Sequence, residues 1–173
     1  MDIQAILADK RLKAKAKVAI LSQMLSQEQV GCADLIKAAQ TSDDAGRGTC
    51  IEAIEFATKS KPELACLDCL KFVTESLEHK APRVKWESAK VIKNIAHLYP
   101  DKLDKAISNL LTNSEFSGTV VRWSAALALG EILKLKAKQK KDLVPAVEAI
   151  LRREEDNGIQ KIYQRALKAV AKQ

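Results

Sequence analysis

Aromatic residues make up only 4% of the chain, and its 6 glycines and 4 prolines are too few for the many turns of a β-sandwich. No uninterrupted apolar stretch approaches the ~18 residues of a transmembrane helix. The opening MDIQAILADK carries an acid at Asp2 and lacks the charged start and apolar run of a secretory signal. A soluble cytoplasmic chain without membrane association is expected, with its four cysteines as reduced thiols. A nucleophile-elbow motif and a phosphate-binding glycine loop are also missing, and nothing in sequence couples either histidine to a Ser or Cys. Gly46-Arg47-Gly48 falls at a predicted helix start with no strand before it, which excludes a dinucleotide-binding reading. No catalytic residue, cofactor or metal is therefore expected.

What is present is 47% apolar and 29% charged, too apolar for a disordered chain. The 173 residues suffice for one domain with a continuous core. The formal charge of +7 suits either an anionic partner such as nucleic acid or a lysine-rich solvated surface.

Self-similarity is visible along the chain. Val84-Lys85-Trp86-Glu87-Ser88-Ala89 recurs 37 residues later as Val121-Arg122-Trp123-Ser124-Ala125-Ala126, each opening an apolar run at helical spacing. Extending the register places a basic ladder at Lys13, Arg47, Lys85, Arg122 and Lys161, and five units at about 1–26, 27–60, 61–100, 101–137 and 138–173. Each pairs a first helix with a second: 2–8 with 9–25, 27–39 with 45–58, 62–78 with 83–98, 102–111 with 119–135, and 143–153 with 159–171. Ser26 with Gln29 and Ser60 with Glu63 have capping-box spacing, Asp101 and Asp142 suit the same role, and the prolines fall in first turns or just outside helices. In the third second helix, Val84, Ser88, Ala89, Ile92, Ile95, Ala96 and Tyr99 share an inward arc, opposite Trp86, Lys90, Lys93 and His97.

The segments VVRWSAALALGEIL and PRVKWESAKVIKNIA resemble the second helix of a HEAT repeat, where a basic residue precedes an Ala-rich apolar run. The resemblance spans nearly the whole chain and implies an all-α, α-α superhelix of about five hairpins. It implies that second helices line a concave face, so that Trp86, Lys90, Lys93, His97, Trp123 and Lys134 would face a groove, with Glu52 and Glu55 in matching places. The alternative is that the tryptophans fill gaps between repeats. For the ladder, the resemblance implies a bond to an acid of the adjacent repeat, with Asp43, Asp44, Glu78, Glu115 and Asp156 as candidates; the alternative is a stripe open to phosphates.

Cys66-Leu67-Asp68-Cys69 has the spacing of a zinc or redox pair, or of two buried small hydrophobes on one helix face, while Cys32, Cys50, His79 and His97 are scattered. The clusters Lys10, Arg11, Lys13, Lys15, Lys17 and Lys134, Lys136, Lys138, Lys140, Lys141 suit solvation or anion binding. The function expected is a non-enzymatic scaffold holding another protein on the concave face. Nucleic-acid binding, in the manner of the HEAT-like alkylpurine DNA glycosylases, is the alternative, with Glu87 and Glu131 as nearby acids. Bilin-lyase HEAT-like proteins share the short repeat units but offer no transferable positions.

Overall fold

The computed structural model describes residues 2–135 and 138–172. Among them are ten α-helices and no strand: α1 (Ile3–Ala8), α2 (Ala14–Ser26), α3 (Cys32–Thr41), α4 (Asp44–Thr58), α5 (Leu67–Ser76), α6 (Pro82–Ile95), α7 (Asp104–Asn113), α8 (Thr119–Lys134), α9 (Lys140–Arg153) and α10 (Asn157–Val170). Short 3-10 turns precede α5 and fill the stretch between α6 and α7. The helices form five pairs, and the second members α2, α4, α6, α8 and α10 pack successively on one another as an α-solenoid. No helix is long and apolar enough to cross a membrane.

The inward arc expected for α6 is buried from Val84 to Ala96, with Tyr99 partly exposed. Val91 and Glu87 are buried as well, because α6 is covered by α4 on one side and α8 on the other. The buried residues of α8 include Ala125, Ala126, Ala128 and Gly130, and short side chains let helix backbones approach closely, as at Gly130 against Ala166 and Ile162 of α10.

Several predicted helix starts are corrected. The second helix of the first pair begins at Ala14, not Asp9, because the Asp9 carboxylate accepts the Arg11 backbone N–H at 2.9 Å and pairs with its guanidinium at 2.8 Å, turning the chain out of helix. Ser26 ends α2 instead of capping α3: Glu28 takes a left-handed φ of 57°, and Gln29 N–H returns to Met24 C=O at 2.9 Å. Asp34 instead accepts the Gly31 N–H at 2.8 Å at the start of α3. Ser60 precedes a 3-10 turn that contains Glu63, and Cys66 is the N-cap of α5. Asp101 lies in a 3-10 turn and Asp142 in the first turn of α9, so neither caps a helix. The side chains that do cap are Asp2, Asp43 and Asp156. Pro145 lies inside α9, which starts earlier than its apolar pattern, at Lys140.

One polar position repeats in every pair, the fourth residue of the second helix. Lys85 Nζ donates to the Leu77 carbonyl at the end of α5 at 2.8 Å, and Arg122 Nη1 donates to the Phe116 and Ser117 carbonyls after α7, each at 3.1 Å. Lys17 donates likewise to Leu7, and Gln160 to Glu154. The fourth residue of α4, Arg47, lies over the Phe72 ring of the next pair, 5.2 Å from its centroid. In each of the other four pairs, a donor from the second helix satisfies carbonyls at the end of the first helix or in the turn just after it. The equivalents of Arg47, Lys85 and Arg122 are thus Lys17 and Gln160, whereas Lys13 is the exposed N-cap of α2 and Lys161 is exposed on α10.

The proposed acids take other partners. Asp43 and Asp156 cap their own helices, Glu78 pairs with Lys105 and Glu115 with Arg153, and Asp44 lies 3.6 Å from His79 and 3.9 Å from Lys80. Among the described residues, the one ladder residue bonded to an acid of the adjacent pair is Arg122, on Glu154 at 3.0 Å. Burial opposes ionisation of Glu154, but Arg122 and the backbone amides of Asp156 and Glu155 outweigh it and hold the carboxyl below its ordinary range.

Lys85 also donates to Asn113 Oδ1 at 3.2 Å, and Asn113 Nδ2 donates to the same Leu77 carbonyl at 3.1 Å, closing a node between α5, α6 and α7. Lys85→Met is expected to lower unfolding free energy by about 1–3 kcal/mol, since it leaves part-buried acceptors unpaired. Lys13→Met is expected to stay within about 0.5 kcal/mol. Urea unfolding midpoints of the two variants check the difference.

Candidate functional site on the second-helix row

The solvent-facing side of the second helices repeats by register, so equivalent positions can be compared from pair to pair. The fifth residues of α6 and α8 are Trp86 and Trp123; the ninth residues of α4, α6 and α8 are Glu52, Lys90 and Leu127. Trp123 is 40% exposed and Phe56 of α4 53%, so large apolar groups stand on this side. Trp86 is partly buried, and its indole N–H donates to Glu87 Oε1 at 2.7 Å.

Between them lies a charged cluster. Glu87 and Glu55 side chains are only 5% and 8% exposed, and Lys90 Nζ lies 2.8 Å from Glu87 and 3.7 Å from Glu55. Arg83 crosses from α6 to Glu52 of α4 at 2.6 Å. It passes directly over Gly48, where an added Cβ would lie 3.2 Å from Arg83 Cδ, so a side chain at residue 48 would push this bridge aside. Asn94 secures the same junction by donating to the Glu55 carbonyl at 3.0 Å.

Two cations thus face three carboxylates. Burial disfavours the charge of Lys90, but its hydrogen bond to Glu87 and the negative charges of Glu87, Glu55 and Glu52 outweigh this and raise its pKa. Burial pushes the Glu87 carboxyl up, with Glu52 adding repulsion; Lys90 and the Trp86 N–H oppose it without reversing it.

Of the six residues expected to line a groove, Trp86, Lys90 and Lys93 are partly exposed on α6, His97 is exposed in the following 3-10 turn, and Trp123 and Lys134 are exposed on α8. Lys134 pairs with Glu131 on its own helix. Arg83 and Phe56 went unnoticed in the sequence. The 83, 87, 90 spacing of alternating charge on one helix face was the available signal, and Gly48 across from it the second.

Among the described residues, no group of three or more His, Cys, Asp or Glu side chains is arranged to hold a metal ion. Cys32, at the start of α3, and Cys69 of α5 are both buried, and α3 packs on α5. Of the second lysine cluster, Lys136 lies outside the described residues; Lys138 pairs with Asp104 at 3.3 Å.

Lys90→Met would leave Glu55 and Glu87 buried without their cation, at a cost of about 3–5 kcal/mol at neutral pH. A carboxyl whose folded pKa is raised binds its proton more tightly in the folded state, so the variant should recover stability as pH falls through that raised value. Urea unfolding of wild type and variant at pH 7.5 and pH 5 should show the gap narrowing at the lower pH.

No family model matches the sequence, and no curated protein matches it. Solved structures do. One is a designed armadillo repeat protein, 19% identical over 97% of this chain and 80% of that chain, with a TM-score of 0.70. A second, also a designed armadillo repeat protein, is in complex with the peptide (KR)4, at 19% identity, the same coverages and a TM-score of 0.73. The third is the complex of CpcE and CpcF of phycocyanin lyase from Nostoc sp., at 18% identity over 95% of this chain and 96% of that chain, TM-score 0.70. At these identities the likeness is one of fold, an armadillo- or HEAT-like repeat solenoid.

Proposed function

We propose that this protein is an interaction module that holds an extended, basic segment of a partner protein across the α4, α6 and α8 face. The observation that carries this reading is the cluster of Glu52, Glu55 and Glu87, which Arg83 and Lys90 do not fully neutralise, flanked by Trp86, Trp123 and Phe56. Aromatic anchors supply contact area on a rigid helical surface, and the excess carboxylate favours a cationic side chain between them. A solenoid relative in complex with (KR)4 supports the same chemistry by analogy of fold. The reading is non-enzymatic and treats the face as the concave one.

A second reading, binding of nucleic acid, is favoured by a separate observation on the last helix. Lys161, Arg165 and Lys168 of α10, and Lys172 just past its end, recur at helical spacing, and all four are exposed. Such a stripe suits phosphates, whereas Lys90 and Arg83 are already engaged by carboxylates.

Fluorescence anisotropy with labelled (KR)4-type peptide, an acidic peptide of equal length, and single- and double-stranded DNA and RNA distinguishes the two. Peptide binding that weakens about tenfold, roughly 1.4 kcal/mol, in Trp123→Ala is the expected result. Binding of nucleic acid alone, lost when Arg165 and Lys168 become Glu and falling steeply between ~50 and ~200 mM salt, would replace the first reading by the second.

A further inference from the structure

The second-helix face continues past its charged cluster onto α2, where its chemistry changes. Between α2 and α4 lies a groove of about 460 Å³, lined on α2 by Ala14, Val18, Ala19 and Ser22 and on α4 by Phe56. Glu52 and Arg83, the ion pair at the edge of the charged cluster, line it as well, so groove and cluster form one surface.

The groove exists because of what α2 lacks. At the next junction Asn94, the thirteenth residue of α6, reaches back to the Glu55 carbonyl at 3.0 Å and to Thr58 Oγ1 at 3.2 Å, and Arg83 crosses to Glu52 over Gly48. Phe56 holds the same register on α4, has no hydrogen-bonding group with which to reach α2, and stays 53% exposed. Across the groove, alanine and serine side chains are too short to cover the ring. A hollow of this size beside an exposed aromatic ring fits a large apolar side chain.

Charge limits what can lie on either side of that side chain. At the α4–α6 junction are the carboxylates of Glu52, Glu55 and Glu87. On α2 the groove is lined by Lys15, which is exposed and pairs with no acid among the described residues. Lys13, also exposed, is the N-cap two residues before it, and the first turn of α2 contains no acid. A run of cations is therefore opposed over α2, where a carboxylate is favoured instead. Neighbouring helices pack ~8–10 Å apart and an extended chain advances ~3.3 Å per residue, which puts the α2–α4 groove about three residues from the α4–α6 junction.

We infer, resting on the reading that this face holds an extended basic segment, that the segment has three parts: an acidic residue at Lys15, a large apolar residue beside Phe56, and the basic run beginning about three residues further on. The apolar residue anchors the segment, and Lys15 fixes where its basic run ends.

Fluorescence anisotropy of the intact protein compares labelled (KR)4 with two extended peptides, Glu-Phe-Ser-Ser-(KR)4 and (KR)4-Ser-Ser-Phe-Glu, since either chain direction satisfies the spacing. One of the two should bind about tenfold tighter than (KR)4, and exchanging its Phe for Ser should remove most of that gain. Ala19→Leu, which fills the groove from α2, should abolish the gain while leaving (KR)4 binding within about twofold. Lys15→Glu should reverse the preference at the terminal position, so that Lys there binds about threefold tighter than Glu. Circular dichroism confirms that both variants fold. The inference is overturned if neither extension binds more than about twofold tighter than (KR)4, or if the gain survives Ala19→Leu. Sedimentation velocity showing a dimer that Ala19→Leu disrupts would assign the groove to a second copy of the chain and overturn it as well. Binding of an extended peptide that is lost in Ala19→Leu, with no binding of (KR)4, would overturn the basic run and leave the apolar anchor standing. No binding of any of the three peptides removes both.

Discussion

No helical pair in this chain can bury its apolar side alone, and the packing of each second helix between its neighbours is the constraint on which the rest depends. It is clearest at α6, where Val84, Ala89, Val91, Ile92 and Ile95 are all buried because α4 covers one flank and α8 the other. An isolated helix of this length is marginal in water. Its stability comes from the neighbours, so the fold is a line of nearest-neighbour contacts. The small residues of α8 serve the same end by bringing backbones close, and a larger side chain at Gly130 would meet Ala166 and Ile162 of α10.

Tight stacking buries polar groups that must then find partners, and the fourth residue of each second helix addresses part of this. Lysine, arginine and glutamine serve there alike, because the requirement is a long donor that reaches back to the carbonyls ending the first helix. Arg47, placed over Phe72, uses the same position for a contact to the next pair. The asparagines of α7 do related work from the other direction, Asn109 reaching the Thr74 carbonyl at 2.9 Å and Asn113 that of Leu77. Local closure of each hairpin and stacking between hairpins therefore share the same few atoms.

The same stacking creates the charged middle of the second-helix face. Glu55 and Glu87 are buried because α4 and α6 lie side by side, and their need for a cation holds Lys90 and positions Trp86. A chain with net charge +7 thus gathers three carboxylates, two of them buried, around Arg83 and Lys90 beside exposed aromatic rings, and carries exposed basic residues along α10. Net charge is a poor guide to a surface when its cations are distributed this unevenly.

Period and punctuation in the sequence determined the all-helical class, the pairing of helices, and the inward arc of α6, because a 3.6-residue apolar repeat admits few other solutions. Helix ends were less legible. Capping depends on where the backbone leaves helical geometry, and Glu28 in a left-handed conformation or the Asp9–Arg11 pair decides that locally. The basic ladder was visible at Arg47, Lys85 and Arg122 but drifted to Lys13 and Lys161 at the ends, where Lys17 and Gln160 hold the position; glutamine can supply the donor without the charge that the pattern sought. Which groups meet across helices was settled only by tertiary packing. Arg83 reaches Glu52 over Gly48, and Lys90 is shared by Glu87 and Glu55, because stacking sets distances that a one-dimensional spacing does not encode.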